Sequence, residues 1–92
     1  MLTAIVLIVA EAGTVPEVAA RVVNLPGVTD CFSVAGDYDL VALVRVKTHD
    51  ALADAIADGV AKVPGIARTN TLIAFREYSR NDLEQAFAIG LE

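Results

Sequence analysis

Two hydrophobic periods alternate along the chain, and the alternation happens twice. From Leu2 to Ala10 the positions are dominated by apolar residues. Leu2, Ala4, Val6 and Ile8 share one parity, and Ile5, Leu7 and Val9 share the other. A strand that is apolar on both parities is covered on both faces. Glu11-Ala12-Gly13 breaks it. Thr14-Val15-Pro16-Glu17 then has the form of a helix start, with the Thr14 hydroxyl set to accept from the Glu17 amide and Pro16 in the first turn. Val15, Val18, Val22 and Leu25 follow at helical spacing. Pro26 and Gly27 stop the helix. Val28 to Val34 reads as a second strand, with Val28, Phe32 and Val34 on one parity.

The second unit repeats the first. Leu40 to Lys47 is a strand with Leu40, Ala42, Val44 and Val46 against Val41 and Leu43, and Arg45 and Lys47 end its second face. Thr48-His49-Asp50 caps a helix whose inward stripe is Leu52, Ile56, Val60 and Val63. Gly59 costs that helix stability and predicts close packing there. Leu25-Pro26-Gly27-Val28 recurs as Val63-Pro64-Gly65-Ile66, and Ile66 to Phe75 is the fourth strand. The order βαββαβ predicts an α+β fold: a ferredoxin-like (split βαβ) sandwich with a four-stranded antiparallel sheet. Strands one and three are its central pair, and the right-handed crossover rule puts both helices on one face. The other face carries Ile5, Leu7, Val41 and Leu43, which predicts a homodimer packed sheet on sheet. Residues 77–92 read as a C-terminal extension. Asn81-Asp82-Leu83-Glu84 starts a short C-terminal helix, with Leu83 and Phe87 at helical spacing.

Composition narrows the function classes. Ninety-two residues make one domain, residues 1–92. At 55% hydrophobic, the chain has more apolar surface than a domain this small hides alone, which again points to a partner surface. The net charge of -5 and the scattered basic residues disfavour direct binding of nucleic acid. A single cysteine, Cys31, excludes an internal disulfide and fits a reducing, cytoplasmic location. The Leu2 to Ala10 run is too short to cross a membrane. His49 has no second His or Cys at ligand spacing, so no metal or cofactor is expected, and it reads as a neighbour of the helix cap. Cys31 reads as an inert strand thiol, and Arg68 and Arg76 as exposed strand-end charges.

The series Leu25-Pro26-Gly27-Val28, Val34-Ala35-Gly36-Asp37-Tyr38-Asp39-Leu40, Pro64-Gly65-Ile66 and Thr69-Asn70-Thr71 resembles the effector-sensing (RAM) domain of Lrp/AsnC-type regulators. The order and spacing of these elements carry the resemblance, which covers roughly residues 1–76. Such regulators place a helix-turn-helix domain before the sensing domain. Here the first sensing strand starts at residue 2, so the expectation is a stand-alone sensing domain. The resemblance implies dimers that assemble further into octamers. It also implies an amino acid effector near contacts between dimers and a role in transcriptional regulation, with a full-length Lrp/AsnC-type regulator as a candidate partner.

Carried over by position, Gly36, Tyr38 and Asp39 match the family's loop after strand two. Asp37 sits at a variable position of that loop, and Thr69 and Thr71 match a hydroxyl pair on strand four. An amino acid presents a carboxylate and an ammonium. Loop amides beside Gly36 and the two hydroxyls suit the carboxylate, and Asp37 or Asp39 suits the ammonium. Tyr38 offers an aromatic wall. The plainer reading makes Gly36 to Asp39 a turn, with Asp39 capping backbone amides, and the threonines ordinary strand residues. The competing function is a small dimeric ferredoxin-like enzyme, a cofactor-free monooxygenase or isomerase. The sequence leans against it, because the only His is at a helix cap and the acids sit in turns.

Overall fold

The computed structural model describes residues 1–80. Its elements are β1 (Leu2–Ala10), α1 (Val15–Val23), β2 (Val28–Ser33), β3 (Leu40–Val46), α2 (His49–Ala53) and β4 (Ile66–Ile73). After Ala53 the helix continues as a π turn, Asp54–Gly59, and a 3-10 turn, Val60–Lys62. The sheet order is β2-β3-β1-β4, and every neighbouring pair is antiparallel. The predicted α+β frame is therefore the observed one. The proposed C-terminal helix from Asn81 lies outside the described residues.

The two parities of the central strands separate as their apolarity requires. Ala4, Val6, Ile8, Leu40, Ala42 and Val44 are fully buried and form one core with Val18 and Val22 of α1 and Leu52, Ala55, Val60 and Val63. On the other face Ile5 pairs with Leu43 and Leu7 with Val41, and all four are only partly buried. No described helix is long and apolar enough to cross a membrane.

Three local expectations change. The first is the register of β2. A bulge between Val28 and Asp30 absorbs Thr29, so Val28 pairs with Val44 while Phe32 pairs with Val41. One extra residue reverses every later side chain. Val28 thus packs on the helix-side core, while Phe32 lies on the open face, 51% exposed. The second is the start of α1. Thr14 has ψ near 3°, not the extended ψ of a capping residue, and its hydroxyl makes no cap bond. It donates instead to the carbonyl of Glu11 at 2.7 Å. Thr48, with ψ at 159°, does cap α2, accepting from the Ala51 amide at 3.0 Å.

The third is the second helix. Within the π turn the Val60 amide donates to the Ala55 carbonyl, five residues back. Val60 and Val63 are buried as expected, Ala55, three residues after Leu52, joins them, and Ile56, expected in the stripe, is left at the margin. A Cβ on Gly59 would make only ordinary contact with Leu25, at 3.5 Å, so space does not demand that glycine. The tight points are the Pro-Gly stops. A Cβ on Gly27 would meet Val46 at 2.8 Å, one on Gly65 would meet Val18 at 2.9 Å, and φ is near +90° at both. The strand ends shift slightly as well: β2 stops at Ser33 and β4 at Ile73, short of Val34 and Phe75.

Candidate ligand-binding site

The β2–β3 loop is fixed to the sheet by its last residue. The Val34 amide donates to the Asp39 carbonyl at 3.0 Å, and the Asp39 amide donates to the Ile8 carbonyl at 2.8 Å. One carboxylate oxygen of Asp39 accepts from the Ala10 amide at 2.9 Å. Asp39 thus ties the start of β3 to the end of the central strand β1, as the plainer reading of this residue requires. Its second oxygen has no partner among the described residues. Gly36 has φ at +125°, which a glycine accommodates, and space for a Cβ is open around it. Asp37 is exposed.

Tyr38 points toward β4. Its hydroxyl lies 3.4 Å from the side-chain amide of Asn70, and the Arg68 guanidinium sits over its ring at 5.8 Å from the centroid. Arg68 pairs with Val9 and Asn70 with Leu7, so both belong to the open face. Thr69 and Thr71 pair with Ile8 and Val6, which places them on the helix-side face of the same edge strand. The structure therefore brings Tyr38 together with Arg68 and Asn70. The two threonines share a face with each other but not with Tyr38. Sequence reading did not find Arg68 or Asn70 as site residues. Their signal was present: they are the alternate residues to the threonines on a strand, adjacent to the loop once Leu7 and Val9 are known to be its neighbours.

The open face thus presents the Tyr38 ring with Arg68 and Asn70, and Asp37 and Asp39 belong to the same loop as Tyr38, while the threonine hydroxyls lie on the opposite face. Opposite charges beside hydrogen-bonding groups are the chemistry that suits a small zwitterion. Elsewhere the chemistry is sparse. No cluster of three or more His, Cys, Asp or Glu fit for a metal occurs among the described residues. His49 is exposed in the first turn of α2. Cys31 pairs with Ala42 on the helix side, and burial pushes its thiol above the ordinary value, which disfavours the reactive thiolate.

Comparison with known proteins places this geometry. The family model of the Lrp/AsnC ligand binding domain matches residues 3–83. The HTH-type transcriptional regulator FL11 of Pyrococcus furiosus is 33% identical over 73 residues, covering 79% of this chain and 48% of that protein. The chain thus spans about half the length of the curated relatives it matches. Among solved structures, TTHA0845 from Thermus thermophilus superposes with a TM-score of 0.81 at 44% identity, covering 87% of this chain and all (100%) of that one. A feast or famine regulatory protein from M. tuberculosis, complexed with L-methionine, superposes with a TM-score of 0.67 at 30% identity, covering 87% of this chain and 54% of that one. The chain belongs to the Lrp/AsnC ligand-binding domain family.

Proposed function

We propose that this protein is a non-enzymatic module that binds a free amino acid and assembles through its open sheet face, in the transcriptional regulation of amino acid metabolism. The observation that carries the reading is the Gly36 to Asp39 loop. It is pinned to the central strand by one oxygen of Asp39, which leaves the other for a ligand ammonium. The relative solved with L-methionine supports the ligand class, and the relatives named as transcriptional regulators support the role. We assign the ligand to Gly36, Asp37, Tyr38, Asp39, Thr69 and Thr71. Tyr38 and the threonines face opposite sides of an edge strand, so a second copy of the chain completes the site. Assembly of dimers, up to an octamer, is then part of ligand binding. The net charge of -5 disfavours direct DNA contact, so in this reading that contact falls to a full-length Lrp/AsnC-type partner in the cytoplasm.

The test is calorimetric titration of the protein with the L-amino acids, comparing wild type with Asp39→Asn. An asparagine oxygen still accepts from the Ala10 amide, so the loop stays pinned while the charge is lost. Losing the charged partner of an ammonium should weaken binding by about 2–5 kcal/mol. Thr71→Val should cost only about 0.5–1.5 kcal/mol. An amino acid that binds Asp39→Asn as tightly as wild type refutes the assignment.

A further inference from the structure

At the other end of β3 lies a groove of about 600 Å³, between the turn that ends α1 and the π turn. That volume falls within the range of small-molecule sites. Its floor is apolar: Leu25, Val46, Ala51 and Ala55. Three charged residues also line it, Lys47 from just past the end of β3 and Asp54 and Asp58 from the π turn. Lys47 and Asp54 have no ion-pair partner among the described residues, whereas Asp58 is paired with Lys62 at 3.4 Å. The groove is thus an apolar trough with one unmatched cation and one unmatched carboxylate among its lining residues.

The π turn lines this wall with Asp54, Ala55, Asp58 and Gly59. Ala55 is buried while Ile56, expected in the stripe, lies at the margin of the core, so a small side chain lines the groove. Single π turns of this kind recur at functional positions in helices. Across the groove, the Pro26-Gly27 turn is tied to β3: the Gly27 carbonyl accepts from the Arg45 amide at 2.8 Å.

We propose that this groove is a second ligand site, taking a small aliphatic zwitterion. Its ammonium pairs with Asp54, its carboxylate pairs with Lys47, and its side chain lies on Leu25, Val46, Ala51 and Ala55. Asp39 joins the first residues of β3 to β1, while Val46 is the last residue of β3, so the two sites sit at opposite ends of that strand. The groove stands independently of the loop reading.

The experiment is an amide NMR titration of the full chain with L-leucine, following the groove (Gly27, Ala51, Asp54, Ala55) and the loop (Gly36, Asp37, Asp39) together. The expected result is saturable shifts in the groove. Asp54→Asn and Lys47→Gln should each weaken them about tenfold, as should isopentylamine or 4-methylpentanoate, which lack one charge of the zwitterion. Shifts at both places support two sites, and shifts in the groove alone support this site and count against the loop. Shifts confined to the loop overturn the groove and support the loop. Groove shifts insensitive to both variants overturn the charge pairing, and no saturable shift at either place overturns the inference.

Discussion

At the scale of single residues, the fold is held at its two Pro-Gly stops more tightly than at any other described glycine. Gly27 and Gly65 combine a left-handed backbone with a Cβ position already occupied by a valine methyl. Gly36 shares the positive φ but faces open space. The two costs can therefore be separated. Gly36→Ala should lose only the backbone strain, of about 1–2 kcal/mol. Gly65→Ala adds a displacement of Val18, a fully buried core residue, and overpacking of a core typically costs about 1–3 kcal/mol more. Urea denaturation of both variants checks the order. Equal midpoints would mean that Val18 moves aside freely and that the stop is not a packing point. The same scale explains why Asp39 was ambiguous in the sequence. Capping and ligand binding call for the same carboxylate, and one of its oxygens caps the Ala10 amide while the other has no partner among the described residues.

At the scale of elements, the frame was legible because it rests on periodicity. The strands, their central pairing and the face carrying Ile5, Leu7, Val41 and Leu43 all follow from apolar alternation, which the register reproduces pair by pair. What was not legible depends on single backbone torsions. The bulge at Thr29 separates Val28 from Phe32, and no composition signal marks it. In the second helix Ala55 takes the inward place expected of Ile56, while Val60 and Val63 keep theirs. Thr14 and Thr48 look alike as helix starts, yet only Thr48 has the extended backbone that turns its hydroxyl toward the first-turn amides. This difference predicts different mutant costs. Thr48→Ala removes a cap and should destabilise the protein by about 1 kcal/mol. Thr14→Ala loses only hydrogen bonds to loop carbonyls, which water can replace, and should cost less. Chemical denaturation distinguishes the two, and a larger loss for Thr14 would contradict the assignment of the caps. The candidate site was half legible for the same reason. The loop is local in sequence, but its partners Arg68 and Asn70 are fixed by the β1–β4 register.

At the scale of the whole molecule, the open sheet face is the surface on which the proposed dimer rests. Ile5 with Leu43 and Leu7 with Val41 form a continuous apolar patch on the two central strands, and Phe32 and Leu72 extend it on the outer strands. Burying such surface against a second copy contributes about 25 cal/mol per Å² of apolar area, enough for a stable dimer over an interface of ordinary size. Arg45 lies at the end of this patch, opposite Thr3. Its Nε is buried without a hydrogen-bond partner among the described residues, and its only described ion pair is a long one, 3.8 Å to Glu77. That arrangement determines which variant tests the interface cleanly. An aspartate at position 43 would stand two residues from Arg45 on the same face, where it could pair with that guanidinium. Leu7→Asp instead puts the charge opposite Val41 and Asn70, with no cation directly across from it, and the diagonal neighbour Arg68 is engaged over the Tyr38 ring. A buried unpaired carboxylate costs several kcal/mol, and in a symmetric dimer the cost falls on both copies. Sedimentation velocity should show wild type as a dimer or larger assembly and Leu7→Asp as a monomer at the same micromolar concentration. Wild type that sediments as a monomer, or Leu7→Asp that sediments as wild type does, would place the interface elsewhere. Because the proposed ligand site is completed by a second copy, the same variant should also lose amino acid binding while circular dichroism shows the fold retained.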